Sequence, residues 1–226
     1  GVSVLIGDGS GAFEDANNYA LADGKETEDV VVGELTGDAH PDVAALNTGD
    51  DTVSLLAGDG SGGLGTPAVI HTAGASVRDL ALADVDGSGT ADLLLATDGG
   101  VFVLPAQGGG SFGAAQQVGT PAHALAARDV DGDGNADIAA LSAGPDEARL
   151  LIGAGNGGCP ARATVSLPHG PVPRRAELTD VTGDGEVDVI AAAGGPSGSF
   201  SSIPETDGAV LLVPGNGGGG LGSAQA

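Results

Sequence analysis

Repetition is the feature that most narrows what this chain can fold into. One nine-residue motif occurs four times: Glu34-Leu-Thr-Gly-Asp-Ala-His-Pro-Asp42, Asp84-Val-Asp-Gly-Ser-Gly-Thr-Ala-Asp92, Asp129-Val-Asp-Gly-Asp-Gly-Asn-Ala-Asp137 and Asp180-Val-Thr-Gly-Asp-Gly-Glu-Val-Asp188. Successive copies start 50, 45 and 51 residues apart. A second motif, an apolar run followed by a glycine-rich turn, occurs five times, at residues 4–13, 55–64, 103–112, 150–159 and 212–221. The two alternate from end to end. Such a chain stacks one supersecondary unit on the next, because no unit can bury its apolar face alone.

The flanks of the acidic motif say what the unit is made of. Short apolar runs precede each copy, at 30–32, 80–83, 124–127 and 176–178, and others follow it, at 43–46, 93–96, 138–141 and 189–192. Runs this short, bounded by Gly and Asp, suit buried strands rather than helices. Each repeat then reads as strand, acidic loop, strand, short turn, strand, glycine-rich turn and a weaker outer strand. Four strands in about 50 residues is the size of one propeller blade. The expected fold is all-β: a β-propeller, or an arc of one, with four-stranded blades, four acidic-loop repeats and a partial N-terminal blade. It forms one domain over 1–226, with repeats at about 1–27 (partial), 28–75, 76–121, 122–170 and 171–226. Residues 193–207 are an insertion in the fourth repeat, read as a Gly/Ser/Pro-rich surface loop. Residues 2–6 and 209–213 both read as third strands, so the chain is expected to begin and finish inside blades.

The acidic motif has the chemistry of a calcium loop. A hard cation needs six to eight oxygens in a small volume. Side chains at positions one, three and five of a tight loop converge on a point, position seven offers its backbone carbonyl, and the carboxylate at nine closes the shell. Glycines at four and six permit the curvature. The third loop supplies Asp129, Asp131, Asp133, the Asn135 carbonyl and Asp137. The second supplies Asp84, Asp86, Ser88, the Thr90 carbonyl and Asp92. The fourth supplies Asp180, Thr182, Asp184, the Glu186 carbonyl and Asp188. The first offers Glu34, Thr36, Asp38, the His40 carbonyl and Asp42. There Ala39 replaces the second glycine and Pro41 stiffens the exit, so three strong Ca²⁺ sites and a weaker fourth are expected. An isolated Asp-Gly pair is more often a hairpin turn. Four copies with acids at one, five and nine, Ser88 alone excepted, favour the metal. An EF-hand would need Glu at position twelve, where Leu95, Ala140 and Ala191 stand in strands. A nonapeptide β-helix would need a period of nine.

The charge agrees with this reading. The chain carries 31 acidic residues against 7 Lys plus Arg, a net charge of −24. That excludes nucleic acid and anionic membrane surfaces as natural partners. Highly charged, aromatic-poor chains are often disordered, but 41% of these residues are apolar, enough for a core. No apolar run is long enough to span a membrane. No signal peptide is visible and the chain starts at Gly1 without any Met, so a processed form or a fragment is expected. The single Cys excludes an internal disulfide and leaves the redox compartment open.

The alternation of a DxDGDGxxD-type loop with an apolar run and a GxGxGxF turn resembles the FG-GAP/VCBS repeats of integrin α-subunit propellers and bacterial surface proteins, nearly end to end. The resemblance implies a β-propeller with Ca²⁺ in the loop joining the first two strands of each blade, and roles in adhesion or ligand recognition. Propellers of that family usually have seven blades, against four loops here.

Other features are less than they seem. GxGxxG occurs at 60–65, 108–113 and 217–222, but each copy falls in the glycine-rich turn ahead of more strand, where a dinucleotide fingerprint would open a helix. Cys159 takes the slot of Phe13, Leu64, Phe112 and Leu221, a buried-hydrophobe position, not that of a nucleophile. His40, His71, His123 and His169 share no triad spacing with Ser or Cys. No enzyme is expected. The leading reading is an extracellular or cell-surface calcium-binding module for protein recognition, adhesion or surface assembly. The alternatives are a carbohydrate-binding propeller and a noncatalytic domain of a larger secreted enzyme. Sugar sites use aromatic faces, and with Phe13 and Phe112 read as core only Tyr19, Phe102 and Phe200 remain for that purpose. Partners are a protein or glycan ligand, with a homo-oligomer or continuation into further blades both open.

Overall fold

The structure, a computed structural model, describes residues 1–21, 26–71, 75–167, 172–194, 209–216 and 220–225. The insertion named above lies outside them beyond Gly194, as do Phe200 and His169. The described residues contain strands and turns without a helix. An N-terminal half-blade pairs β1 (Val2–Val4) with β2 (Asn17–Tyr19). Blade one follows as β3 (Thr27–Gly33), β4 (Asp42–Asn47), β5 (Thr52–Leu56) and β6 (Ala68–His71). Blade two is β7 (Val77–Ala83), β8 (Asp92–Thr97), β9 (Gly100–Leu104), a small hairpin of β10 (Ala106–Gly108) and β11 (Ser111–Phe112), then outer strand β12 (Gln116–Gly119). Blade three is β13 (Ala124–Arg128), β14 (Asp137–Ala143), β15 (Asp146–Leu151) and β16 (Ala161–Ser166). Blade four is β17 (Val172–Thr179), β18 (Asp188–Gly194) and β19 (Ala209–Val213), with Gln225 bridging Leu212 where an outer strand would run. All sheets are antiparallel meanders, the propeller architecture expected from the repeats.

Period-two alternation explains the packing. In each blade one face of the second and third strands meets the blade before it, and the other face meets the blade after. Val43, Ala45 and Leu56 pack on Val2 and Leu21 of the half-blade. Ala44, Leu46, Val53 and Leu55 pack on Leu93, Leu95 and Leu104 of blade two. Leu94, Ala96, Val101 and Val103 meet Ile138, Ala140 and Leu151 of blade three. Ala139, Leu141 and Ala148 meet Val189, Ala191, Leu211 and Val213 of blade four. The second strands are therefore apolar on both faces, and β4 and β8 are buried throughout. The first strands differ from the expected fully buried runs. β3 alternates, with Val30 and Val32 41% and 63% exposed, because the inner strands of the four blades line a central channel of about 490 Å³.

The two ends of the stack correct one expectation. Phe13, read as core, is 69% exposed, although its slot-mate Cys159 is 5% exposed. In the later blades that slot packs on the blade before it. Leu5 is likewise exposed, where Leu56, Leu104, Leu151 and Val213 are buried. Val210 on the outer face of blade four is 68% exposed, while its counterparts Val53, Val101 and Ala148 are buried.

Candidate metal centres

Each acidic motif joins the first strand of a blade to the second, closing a hairpin in which Gly33 faces Asp42, Ala83 faces Asp92, Arg128 faces Asp137 and Thr179 faces Asp188. The structure resolves a division of labour within each motif. Position nine is the anchor. Asp42, Asp92, Asp137 and Asp188 are fully buried, and each uses both oxygens as acceptors. One oxygen takes the N–H at position two, from Leu35, Val85, Val130 or Val181, at 2.7–3.0 Å. The other takes an N–H from the turn after the third strand, from Gly58, Ala106, Gly153 or Gly215, in every case at 2.8 Å. The anchor thus ties the acidic loop to the glycine-rich turn, which explains why the two motifs travel together. Gly58, Gly153 and Gly215 cannot carry a side chain, since a Cβ would come within 2.0, 2.2 and 2.4 Å of the carbonyl at position eight. Burial raises the carboxyl pKa of Asp92 and Asp137. At Asp188 burial pushes the same way, but the N–H donors of Gly215, Val181 and Thr182 prevail and hold it low.

Position one gathers the loop. Asp84 accepts from the amides of Ser88 and Gly89, Asp129 from Gly132 and Gly134, and Asp180 from Gly183 and Gly185, at 2.6–3.0 Å. Glu34 accepts from Gly37. Position five braces position seven: Asp38 accepts from the His40 amide, Asp133 from Asn135 and Asp184 from Glu186, at 2.8–2.9 Å. Ser88 at this position accepts from the Thr90 amide at 3.3 Å. At position six, Gly89, Gly134 and Gly185 have φ of 85–91°, a left-handed conformation that costs a residue with a Cβ. Loop one adopts it with Ala39, at φ 68°.

Position three differs from loop to loop: Asp86 accepts the Ser88 amide at 3.0 Å and Thr182 is exposed, whereas Thr36 and Asp131 each keep a buried oxygen. Among the described residues, the buried side-chain atoms without a hydrogen-bond partner are Thr36 Oγ1 and Asp131 Oδ1, and both stand at position three. A buried polar atom without a partner costs about 1–3 kcal/mol, so two at one repeat position mark a place where a cation fits. The carboxylates of positions one, three and nine converge within 4.8 Å in loop two (Asp84, Asp86, Asp92) and in loop three (Asp129, Asp131, Asp137). Loops one and four carry Thr36 and Thr182 at position three, and among the described residues neither forms such a group of three carboxylates. The side chains gathered there are carboxylates and hydroxyls, with no thiolate or imidazole, which suits Ca²⁺ and not zinc.

Sequence reasoning did not see two charged groups. Arg162 on β16 reaches Asp131 Oδ2 at 3.4 Å and partly neutralises loop three. Asp79 on β7 is 3% exposed, and its Oδ2 accepts the Leu125 amide of blade three at 2.8 Å, tying two inner strands together. Burial pushes its pKa up to about 6. A repeat-slot comparison would have singled it out, since the same inner-strand slot holds Asp29, Ala124 and Arg175. Arg175 bonds Asp29 and lies 4.0 Å from Asp79. Together with Arg78, Arg174, His123 and Glu28 these side chains line a cavity of about 430 Å³ at the channel mouth away from the acidic loops. Arg78 is held there by Asp98 at 2.6 Å. Cys159 is buried as expected, its thiol pushed up to about 11 by that burial.

The FG-GAP-like repeat profile matches residues 35–95, 84–140 and 129–191. The chain belongs to the FG-GAP-like repeat family. No curated protein sequence matches it. Among solved structures, a lectin from Agrocybe aegerita, described for specific recognition of non-reducing terminal N-acetylglucosamine, aligns over 100% of this chain with a TM-score of 0.64 at 20% identity. The chain spans 60% of that lectin's length. The Vibrio cholerae biofilm matrix protein Bap1 aligns over 85% of this chain and 27% of its own, with a TM-score of 0.47 at 18% identity. The likeness to the lectin concerns the fold. No helix among the described residues is long and apolar enough to cross a membrane.

Proposed function

We propose that the protein is a non-catalytic, extracellular or surface recognition module whose blades are braced by Ca²⁺ at the acidic loops. The observation that carries this reading is the coincidence, in loop three, of converging carboxylates and an unpartnered buried oxygen of Asp131. Asp84, Asp86 and Asp92, and Asp129, Asp131 and Asp137, would hold the two best-supplied ions, with Ser88, Asp133 and the carbonyls of Thr90 and Asn135 completing the shells. Asp180, Thr182, Asp184, Glu186 and Asp188 would hold a third. Glu34, Thr36, Asp38, His40 and Asp42 would hold the weakest, in the loop that carries Ala39. When bound, the ion supplies positive charge that lets the loop acids approach one another. Extracellular modules bind calcium at about 10⁻⁴–10⁻³ M, which matches calcium outside cells and motivates the localisation. The partner is a protein or a glycan, met at the loops or at the channel mouth. The test is isothermal titration of the EDTA-treated chain with Ca²⁺. Heats fitting at least two sites below about 1 mM support the proposal, and no heat up to 10 mM overturns it.

The second reading, a carbohydrate-binding propeller, draws on the likeness to the Agrocybe lectin. A glycan array probed with and without calcium separates it from protein recognition.

A further inference from the structure

We propose that loops two and three work as a coupled pair, with Ala136 of loop three positioning the first ligand of loop two; this rests on the calcium reading above. The Ala136 amide donates to the Asp84 carbonyl at 3.2 Å, so loop three is bonded directly to position one of its neighbour. Planar peptides make that bond part of a longer path. The peptide unit ending in the Ala136 N–H begins with the Asn135 carbonyl, the position-seven ligand of loop three. The peptide beginning with the Asp84 carbonyl ends in the Val85 N–H, which donates at 3.0 Å to Oδ2 of Asp92, position nine of loop two. Two peptide planes and two hydrogen bonds therefore join a ligand of one ion to a ligand of the next. Val85 and Asp92 are fully buried, so water does not compete along that stretch. The loops also touch beside it, where a Cβ on Gly87 would lie 3.7 Å from Asn135 Oδ1.

The path transmits because the two ends of a trans peptide are electronically linked. A cation on the Asn135 oxygen draws electron density from its own peptide nitrogen and strengthens the Ala136 N–H as a donor. The Asp84 carbonyl is then held more firmly, and the Val85 N–H donates more strongly to Asp92, since hydrogen-bonded amides polarise one another. Filling loop three thereby orders loop two, and linkage makes the effect reciprocal. Among the described residues no other pair of acidic loops shares such a backbone bond; the Thr36 carbonyl of loop one instead accepts the Gly109 amide.

Site-resolved calcium titration by amide NMR tests the proposal, with Gly87 and Gly89 reporting loop two and Gly132 and Gly134 reporting loop three. Ala136→Pro deletes the donor at a slot where loop one naturally carries Pro41, and Ala136→Gly keeps the donor as the conservative control. Asp131→Asn removes a carboxylate from loop three without touching the path. In the native chain and in Ala136→Gly, Asp131→Asn is expected to raise the loop-two midpoint about fivefold, the scale of one net hydrogen bond. In Ala136→Pro it is expected to change nothing further. A loop-two midpoint indifferent to Asp131→Asn in the native chain overturns the coupling, as does a fivefold effect that survives Ala136→Pro. If none of the four amides moves up to about 10 mM calcium, tenfold above the weakest extracellular range, the calcium reading falls and takes the coupling with it. Loops that titrate independently sink the coupling alone.

Discussion

Within the nine-residue motif, identical-looking acids do different work. Position nine is fully buried with both oxygens committed to backbone donors, whereas Asp131 at position three keeps one buried oxygen without any donor. That contrast yields a test with opposite signs in two conditions. Asp131→Ala removes the unpartnered oxygen and is expected to raise the calcium-free stability by about 1 kcal/mol, after allowing for the lost exposed contact with Arg162. It should also abolish the calcium response of loop three. Thermal melts with EDTA and with calcium check both, and a loss of stability in EDTA contradicts the assignment. Ala39 supplies a second prediction. Its left-handed φ of 68° costs a Cβ-bearing residue about 1–2 kcal/mol, partly offset by glycine's larger unfolded entropy. Ala39→Gly is therefore expected to stabilise the chain by up to about 1 kcal/mol, read as a higher denaturant midpoint. No change or a decrease would show that the loop accommodates alanine without strain.

At the scale of the element, the unit is the hairpin formed by the first two strands with its acidic loop, locked to the third strand's turn by position nine. On the proposed reading, calcium would act on that unit. With a Kd of about 0.5 mM and 5 mM calcium, each filled loop contributes about 1.4 kcal/mol, so loops two and three together contribute about 3 kcal/mol. For a chain of this length that corresponds to a melting temperature at least about 6 °C higher than in EDTA. Magnesium at the same concentration should do much less, because it demands tighter octahedral geometry and sheds water reluctantly. A melting temperature indifferent to EDTA at low ionic strength would remove calcium from the account. The strands flanking each loop were legible from runs of three or four mostly apolar residues beside the acidic motif. Their exposure was not, because a run such as Val30-Val31-Val32 does not say that alternate side chains face a channel.

Across the whole molecule, charge and the two end faces set behaviour in solution. Asp79 has a pKa of about 6 in the folded protein, raised by burial, against about 3.9 unfolded. The folded state thus holds this proton more tightly. Its contribution is complete below about pH 4 and is lost as the pH rises through about 6, a change of about 3 kcal/mol. Without calcium, lower pH also relieves repulsion within a chain of net charge −24. The melting temperature in EDTA is expected to be higher at pH 5 than at pH 8, and Asp79→Asn should flatten that slope. A profile unchanged by Asp79→Asn would mean that this carboxyl does not titrate in the window. The end faces lead to a prediction about association. Leu5 and Phe13 at one end, and Val210 at the other, occupy slots that are buried between blades elsewhere. A second copy offers the complementary half of an interface this chain already forms within itself. Light scattering is expected to give a mass that climbs above 21.4 kDa with concentration, and Val210→Asp should lower it. A constant monomer mass would show that the exposed slots are too few to join copies.

The linear pattern by itself determined the repeat unit, its strands, the propeller class and the acidic loops, because each depends on residues within about ten positions of one another: alternation, turn glycines and oxygen-bearing side chains at fixed offsets. Only the tertiary structure decided which oxygens are left over. Asp42 and Asp131 look alike in the chain, and what separates them is the Gly58 amide, brought from a turn 16 residues away, and the absence of any such donor for Asp131 Oδ1. The same holds for Phe13 and Cys159, equivalent in sequence and opposite in burial, because burial belongs to the neighbouring blade. It holds for the Ala136–Asp84 bond as well, whose partners lie 52 residues apart and meet because consecutive blades stack with their loops at the same end of the channel.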